Sequence, residues 1–145
     1  EEEVYLLEYN VRFGDPETQA ILPLLKEDLA QLLFDLSRGQ LDGTPLSFYE
    51  GSACNVVMSS AGYPGEYQSG FPIQIDLPIN SSIFIAGAEE GEEEDGVRRL
   101  YTSGGRVLSV TGLGTNPGEA CREAYIALEN IYFEGRYYRR DIGKL

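Results

Sequence analysis

A single well-marked helix near the end of the chain, preceded by a long series of short strand-like runs, leaves few architectures open. Asn116 can cap it, Pro117 occupies the first helical position and Glu119 follows three residues after the cap. Ala120, Ala124, Leu128 and Ile131 then recur at helical spacing as an apolar stripe. Upstream, Cys54–Met58, Phe71–Leu77, Ser82–Ala86, Leu100–Ser103 and Arg106–Thr111 read as strands. Tyr63-Pro64-Gly65 reads as a turn, Gly104-Gly105 as the corner of a hairpin, and Glu89–Gly96 as an acidic loop. Gly112-Leu113-Gly114 reads as another tight turn, and Tyr137–Ile142 as an added edge strand after Gly135. One helix against several short strands is a small α+β domain.

The first part of the chain has a different pattern. Val4–Val11 reads as a strand with Glu8 and Asn10 on one face, which Arg12 shares if the strand continues. Asp15-Pro16 starts a short helix, with Asp15 as its cap, and Pro23 ends it. Leu29, Leu32, Leu33 and Leu36 mark a second helix and read as core, with Gly39 as its stop. Gly43-Thr44-Pro45 is a loop, and a domain boundary is expected there, giving segments 1–45 and 46–145. Glu1 stands where Met would open a chain, and Glu1–Glu3 run straight into apolar Val4–Leu7, so the chain reads as entered partway through a domain.

The formal net charge of −13 disfavours non-specific binding to nucleic acid or to an anionic membrane, both of which need a basic surface. No apolar run approaches the roughly 18 residues of a membrane-spanning helix. With no histidine, Ser–His and Cys–His catalysis are ruled out, and two cysteines alone cannot make the usual four-ligand zinc site. Cys54 and Cys121 read as buried, unreactive thiols of a cytoplasmic protein. Chemistry must then rest on carboxylates, amides, Arg, Lys, backbone groups and a metal.

The stretch that could carry such chemistry is Glu8 to Gln19, which gathers Glu8, Asn10, Arg12, Asp15 and Glu17. Two oxygen donors on one strand face suit Mg2+, which takes one or two carboxylates and leaves its other positions to substrate phosphates and water. A nearby Arg can grip a phosphate or carboxylate in a bidentate way. The same residues also suit a solvated strand edge followed by a capped helix, and the residues alone leave both readings open.

The stretch LLEYNVRFGDPETQ, Leu6 to Gln19, closely resembles the end of the ATP-grasp domain of phosphoribosylamine–glycine ligases. Further likeness follows in order: Asn55–Met58 leading to Gly62-Tyr63-Pro64-Gly65, then Ser103–Leu108 with Val110-Thr111, then Ala124-Tyr125 and Tyr138–Gly143. The resemblance implies a fold in which 1–45 is the end of an ATP-grasp domain and 46–145 is a C-terminal domain of antiparallel strands with one helix. It implies an enzyme that joins 5-phosphoribosylamine and glycine through a glycyl phosphate, splitting ATP to ADP and phosphate in purine synthesis. Glu8 and Asn10 match the ligands of Mg2+ (or Mn2+), and Arg12 matches a catalytic arginine that steadies the acyl phosphate. Asp15 and Glu17 fall near the glycine site.

Two departures stand out. Where the family has a His-Ala-Gly-Thr stretch, this chain has Ile85-Ala86-Gly87-Ala88. The adenine pocket, the phosphate-binding Lys and the lid of an ATP-grasp enzyme lie upstream of the matching stretch, so the missing N-terminal part is an implied partner and the isolated chain is expected to be inactive. A different ATP-grasp ligase is disfavoured by RFGDPETQ. A non-catalytic docking or assembly module that keeps the fold is the competing reading.

Overall fold

The computed structural model describes residues 3–92 and 96–143. Its elements in chain order are α1 (Glu17–Ile21), a 3-10 turn (Leu22–Leu24), α2 (Leu29–Ser37), β1 (Ser52–Ser60), β2 (Pro72–Ile75), β3 (Ser82–Ile85), β4 (Ala88–Glu92), β5 (Arg98–Thr102), β6 (Arg106–Gly114), α3 (Pro117–Glu129), β7 (Ile131–Tyr132) and β8 (Arg136–Tyr137). All strand pairs are antiparallel and form two four-stranded sheets, ordered β3-β6-β1-β8 and β4-β5-β2-β7. The α+β character expected from the sequence is therefore observed.

The first sheet is organised around the long β1–β6 pair, in which Cys54 faces Gly112, Val56 faces Val110 and Met58 faces Leu108. Side chains alternate across a strand. This set forms one face, buried under α3 with Ala120, Ala124, Ala127 and Leu128. Gly112 makes that contact close: a Cβ there would run into the Ala120 carbonyl oxygen and the Ala124 nitrogen. Ile131 and Phe133 complete the core, and Ile73 joins it from the second sheet. The opposite face of the first sheet is polar. There Asn55 lies opposite Thr111, and its amide donates to Ser109 Oγ at 3.0 Å and Thr111 Oγ1 at 2.8 Å.

The α3 start behaves as its sequence requires. Asn116 accepts a hydrogen bond from the Glu119 backbone nitrogen at 3.0 Å, and Pro117 follows it. The Glu119 carboxylate turns back to Thr115, accepting from its hydroxyl at 2.5 Å and its backbone nitrogen at 2.9 Å, and these contacts hold its pKa below the ordinary range. After β8, Tyr125 of α3 fastens the terminal stretch. Its hydroxyl donates to the Arg139 carbonyl at 2.9 Å and accepts from the Ile142 nitrogen at 3.1 Å.

Several expectations are corrected. Residues 3–10 form neither strand nor helix, and no neighbouring chain pairs their backbone among the described residues. Gly104-Gly105 does not close a hairpin. β5 pairs with β2 and β4, while β6 pairs with β1 and β3, so the two glycines carry the chain from one sheet to the other. They fit because Gly87 and Gly104 touch backbone to backbone, and the Gly87 carbonyl accepts from the nitrogens of Ser103 and Gly104. The acidic stretch is not wholly a loop: Ala88–Glu92 is β4, paired to β5, and residues 93–95 lie outside the described set. Gly112-Leu113-Gly114 is not a turn but the end of β6.

In the first part, α1 is capped by Pro16 without a side-chain bond, so Asp15 is not its cap. Helix α2 forms, capped by Asp28, whose carboxylate accepts from the Gln31 nitrogen, and Gly39 follows it with φ +65°. However, none of its residues is buried, so its leucines are not core in this chain. Both thiols are free, with Cys54 buried and Cys121 only half-buried. Burial, with the Cys121 thiol beside it, raises the Cys54 pKa to about 12. Of Tyr137–Ile142 only Tyr137 lies in a strand, the two-residue β8 that it forms with Arg136 at the sheet edge. Among the described residues no helix is long and apolar enough to cross a membrane.

Candidate functional site

The polar face of the first sheet carries the first part of the chain. Thr111 Oγ1 donates to the Gln19 carbonyl at 2.8 Å, which docks α1 on β6. The Arg106 guanidinium at the other end of β6 grips Asp15 twice, with Nη1 on its carbonyl at 2.9 Å and Nη2 on Oδ2 at 3.0 Å. Gln19 donates to the remaining Asp15 oxygen, Oδ1, at 2.9 Å. This explains why Asp15 does not cap α1: both carboxylate oxygens are held by side chains, one of them from a distant strand. A continuous polar path thus runs from Asn55 through Thr111 and Gln19 to Asp15 and Arg106.

From this anchor the chain extends back through Arg12, Asn10 and Glu8. The Asn10 amide donates to Glu8 Oε1 at 3.1 Å, which brings the two side chains together. The second Glu8 oxygen and the Asn10 carbonyl oxygen are hard donors of the kind Mg2+ takes. No group of three or more His, Cys, Asp or Glu residues that could hold a metal occurs among the described residues. A cation at Glu8 and Asn10 would therefore rely on phosphate and water oxygens for the rest of its shell, a donor set that suits Mg2+ bound with a nucleotide. Arg12 donates through Nη1 to its neighbour's carbonyl, Phe13 O, at 2.8 Å and is otherwise exposed. Glu17 sits in the first turn of α1 with its carboxylate folded back over Gly14, where no β-carbon is present to block it.

Of the five residues singled out in the sequence, the structure brings Glu8 and Asn10 together and ties Asp15 to the β-domain. Among the described residues no hydrogen bond or ion pair joins Arg12 or Glu17 to Glu8, Asn10 or Asp15. Sequence reading missed the part played by Arg106, Asn55 and Thr111. Arg106, Asn55 and Thr111 fall within the stretches that carry the family resemblance, but nothing in the sequence attached a role to any of them. Their joint role depends on the β1–β6 register, which no local pattern displays.

A cavity of about 310 Å3 lies beside Arg106, bounded by Pro16, Asn55, Tyr63, Tyr138 and Arg139 among others. Asn55 Oδ1 is buried and has no hydrogen-bond partner, which is uncommon for a buried carbonyl oxygen. Gly105 leaves room for the Tyr63 ring, which a Cβ at that position would strike.

The family model "Phosphoribosylglycinamide synthetase, C domain" matches residues 53–145 of the chain. The chain belongs to that family. It is 47% identical to the phosphoribosylamine–glycine ligase of Chlorobaculum tepidum over 95% of this chain and 32% of that protein. It is 45% identical to the enzyme of that name from Clostridium acetobutylicum, over 97% of this chain and 33% of that protein. The crystal structure of the phosphoribosylamine–glycine ligase of Thermotoga maritima superposes with a TM-score of 0.78 at 43% identity, covering 95% of this chain and 33% of that one. The chain spans about a third of the length of these relatives. In family terms, the match lies on both sheets and α3, and the aligned relatives extend it over α1, α2 and most of the stretch that holds Glu8 and Asn10.

Proposed function

We propose that this chain is the metal corner and C-terminal domain of a ligase that joins 5-phosphoribosylamine and glycine to give glycinamide ribonucleotide, ADP and phosphate. The observation that carries the reading is the contact between Asn10 and Glu8, two oxygen-bearing side chains 3.1 Å apart, in a chain 47% identical to phosphoribosylamine–glycine ligase. In this reading residues 1–45 end an ATP-grasp domain and residues 46–145 form the C-terminal domain of a cytoplasmic enzyme. Glu8 and Asn10 hold Mg2+ or Mn2+, which neutralises charge on the ATP phosphates when bound.

The chemistry is two displacements. A glycine carboxylate oxygen attacks the γ-phosphorus of ATP, the bond to the β-phosphate oxygen breaks, and ADP leaves. The amine of 5-phosphoribosylamine then attacks the carbonyl carbon of glycyl phosphate; the carbon–oxygen bond breaks, phosphate leaves and the amine gives up a proton. Arg12 steadies the acyl phosphate, with its planar fork matched to phosphate oxygens. Glu17 lies on the glycine side. Asp15 lies there too, and its carboxylate, held by Arg106 and Gln19, sets the position of the stretch that leads back to Arg12.

The chain supplies no adenine pocket and no phosphate-binding lysine of its own in this reading, so the ligase works only with the rest of the ATP-grasp domain. Two metal ligands cannot by themselves repay the cost of ordering a nucleotide. The test is phosphate release by the full-length ligase in the presence of glycine and phosphoribosylamine. Removing a charged ligand through Glu8→Gln is expected to raise the Mg2+ requirement by about tenfold or more, the size of one lost charged contact. An unchanged Mg2+ dependence in Glu8→Gln and in Asn10→Ala would remove both residues from the metal site.

A further inference from the structure

We infer that the cavity beside Arg106 is the seat of the sugar phosphate, with the phosphate monoester against the Arg106 guanidinium and the sugar ring between the tyrosines. The inference rests on the ligase reading and assigns one of its substrates to a place on the β-domain. Four segments far apart in sequence converge on this cavity: Pro16 from the stretch before α1, Tyr63 from the turn after β1, Arg106 from the start of β6, and Tyr138-Arg139 from the terminal stretch. Pro16, Tyr63, Arg106 and Arg139 take no part in the core, and Tyr138 packs against it from outside the buried set.

Charge points the same way. The chain carries a formal charge of −13 and only 11 Lys and Arg residues. Arg106 and Arg139 line this cavity, and Arg136 and Arg140 line the adjoining opening that shares Tyr137 and Tyr138 with it. Cations are thus concentrated here on a protein that is otherwise acidic. Asp15 and Asp141 each offset one of the two lining arginines, through contacts of 3.0 and 2.7 Å. The remaining field suits a dianionic monoester better than a triphosphate. Arg106 has five N–H donors, and its two bonds to Asp15 leave three to meet an anion from a fixed position.

Size and the neutral groups narrow the ligand further. About 310 Å3 is at the small end of the range for ligand pockets, roughly 300–1,000 Å3, so one sugar with one phosphate fits and a dinucleotide does not. Asn55 lines the cavity, and its amide nitrogen is held by Ser109 and Thr111.

The test is a titration of the chain with ribose 5-phosphate, a stable stand-in that lacks the amine, followed by two-dimensional amide NMR. Saturable shifts are expected at Asn55, Tyr63 and Arg106. Arg106→Ala should weaken binding by about tenfold or more, the size of one lost charged hydrogen bond. Arg106→Lys should lose less, and Arg98→Ala, on the second sheet, should change nothing. The dispersed spectrum of each variant establishes that it is folded. Binding that survives Arg106→Ala overturns the inference. So does ribose binding as tightly as its phosphate, or inorganic phosphate binding as tightly as ribose 5-phosphate. The kinetic arm separates this from the ligase reading. If the full-length enzyme turns over and Arg106→Ala leaves the KM for phosphoribosylamine unchanged, the cavity assignment falls and the ligase stands. If the full-length wild-type protein makes no product, the ligase reading itself falls.

Discussion

The two parts of this chain divide structure and chemistry between them. Among the described residues every buried one lies in the β-domain, from Cys54 on β1 to Phe133 after β7, and none lies between residues 3 and 53. The first part nevertheless holds the residues with the strongest chemical signal, on a stretch whose apolar side chains are bare: Val4 is 98% exposed and Leu7 94%. The comparison teaches that the candidate metal corner does not take its order from a core of its own. It is held from behind, by Arg106 on Asp15 and Thr111 on Gln19, and its apolar side chains await a neighbour. An exposed apolar stretch whose backbone pairs with no strand among the described residues is a place where another strand adds. In the relatives from Chlorobaculum tepidum and Clostridium acetobutylicum this chain spans about a third of the length, and the rest of the ATP-grasp domain is the occupant that the proposed function supplies.

The largest effect that could break this division is a core truncation. Phe133→Ala, at a side chain only 1% exposed, should cost about 3–5 kcal/mol. Phe34→Ala on α2, at 53% exposed, should stay within about 0.5 kcal/mol. Urea unfolding followed by circular dichroism measures both, and equal losses would mean that the first part shares the core. Next comes Gly112→Ala, which places a methyl group against the backbone of α3. Neither backbone can yield as a side chain would, and a loss of about 1–3 kcal/mol is expected in the same assay.

The caps sharpen the comparison further. Asn116→Ala removes the acceptor for the Glu119 nitrogen at the head of the core helix, and should cost about 1 kcal/mol of global stability. Asp28→Ala removes the equivalent bond from α2, yet α2 buries nothing, so its loss should appear as faster amide exchange in 29–37 without a shift in the global midpoint. The smallest effect is the coupling across the two parts. Asp15 and Arg106 are 44% and 40% exposed, so a double-mutant cycle should give no more than about 1 kcal/mol. A much larger coupling would show the first part to be locked to the β-domain more firmly than its exposure suggests.

How far the sequence foretold this structure follows the same divide. Asn116-Pro117 and the alanine stripe located α3 because caps and periodicity are local signals. The strands were found by their apolar runs, but not their partners. Gly104-Gly105 had the composition of a hairpin and instead joins two sheets, since partner choice is decided by distant segments such as β1. Val4–Val11 had the composition of a strand, but composition supplies no neighbour. For the candidate site, Glu8, Asn10 and Asp15 stood out because acidic and amide groups are unusual beside apolar ones. Arg106 and Asn55 did not stand out, because their meaning comes from register and from the way the terminal stretch, fastened by Tyr125, folds over the sheet edge.

The central claim is that the arm bearing Glu8 and Asn10 becomes functional only against the rest of an ATP-grasp domain. The most direct measurement mixes this chain with the separately made remaining portion of the ligase and follows phosphate release with ATP, Mg2+, glycine and phosphoribosylamine. The account predicts release in the mixture, none from either part alone, and loss of release when the chain carries Glu8→Gln. Release from the chain alone, or none from a mixture in which both parts are folded and bound to each other, would contradict it.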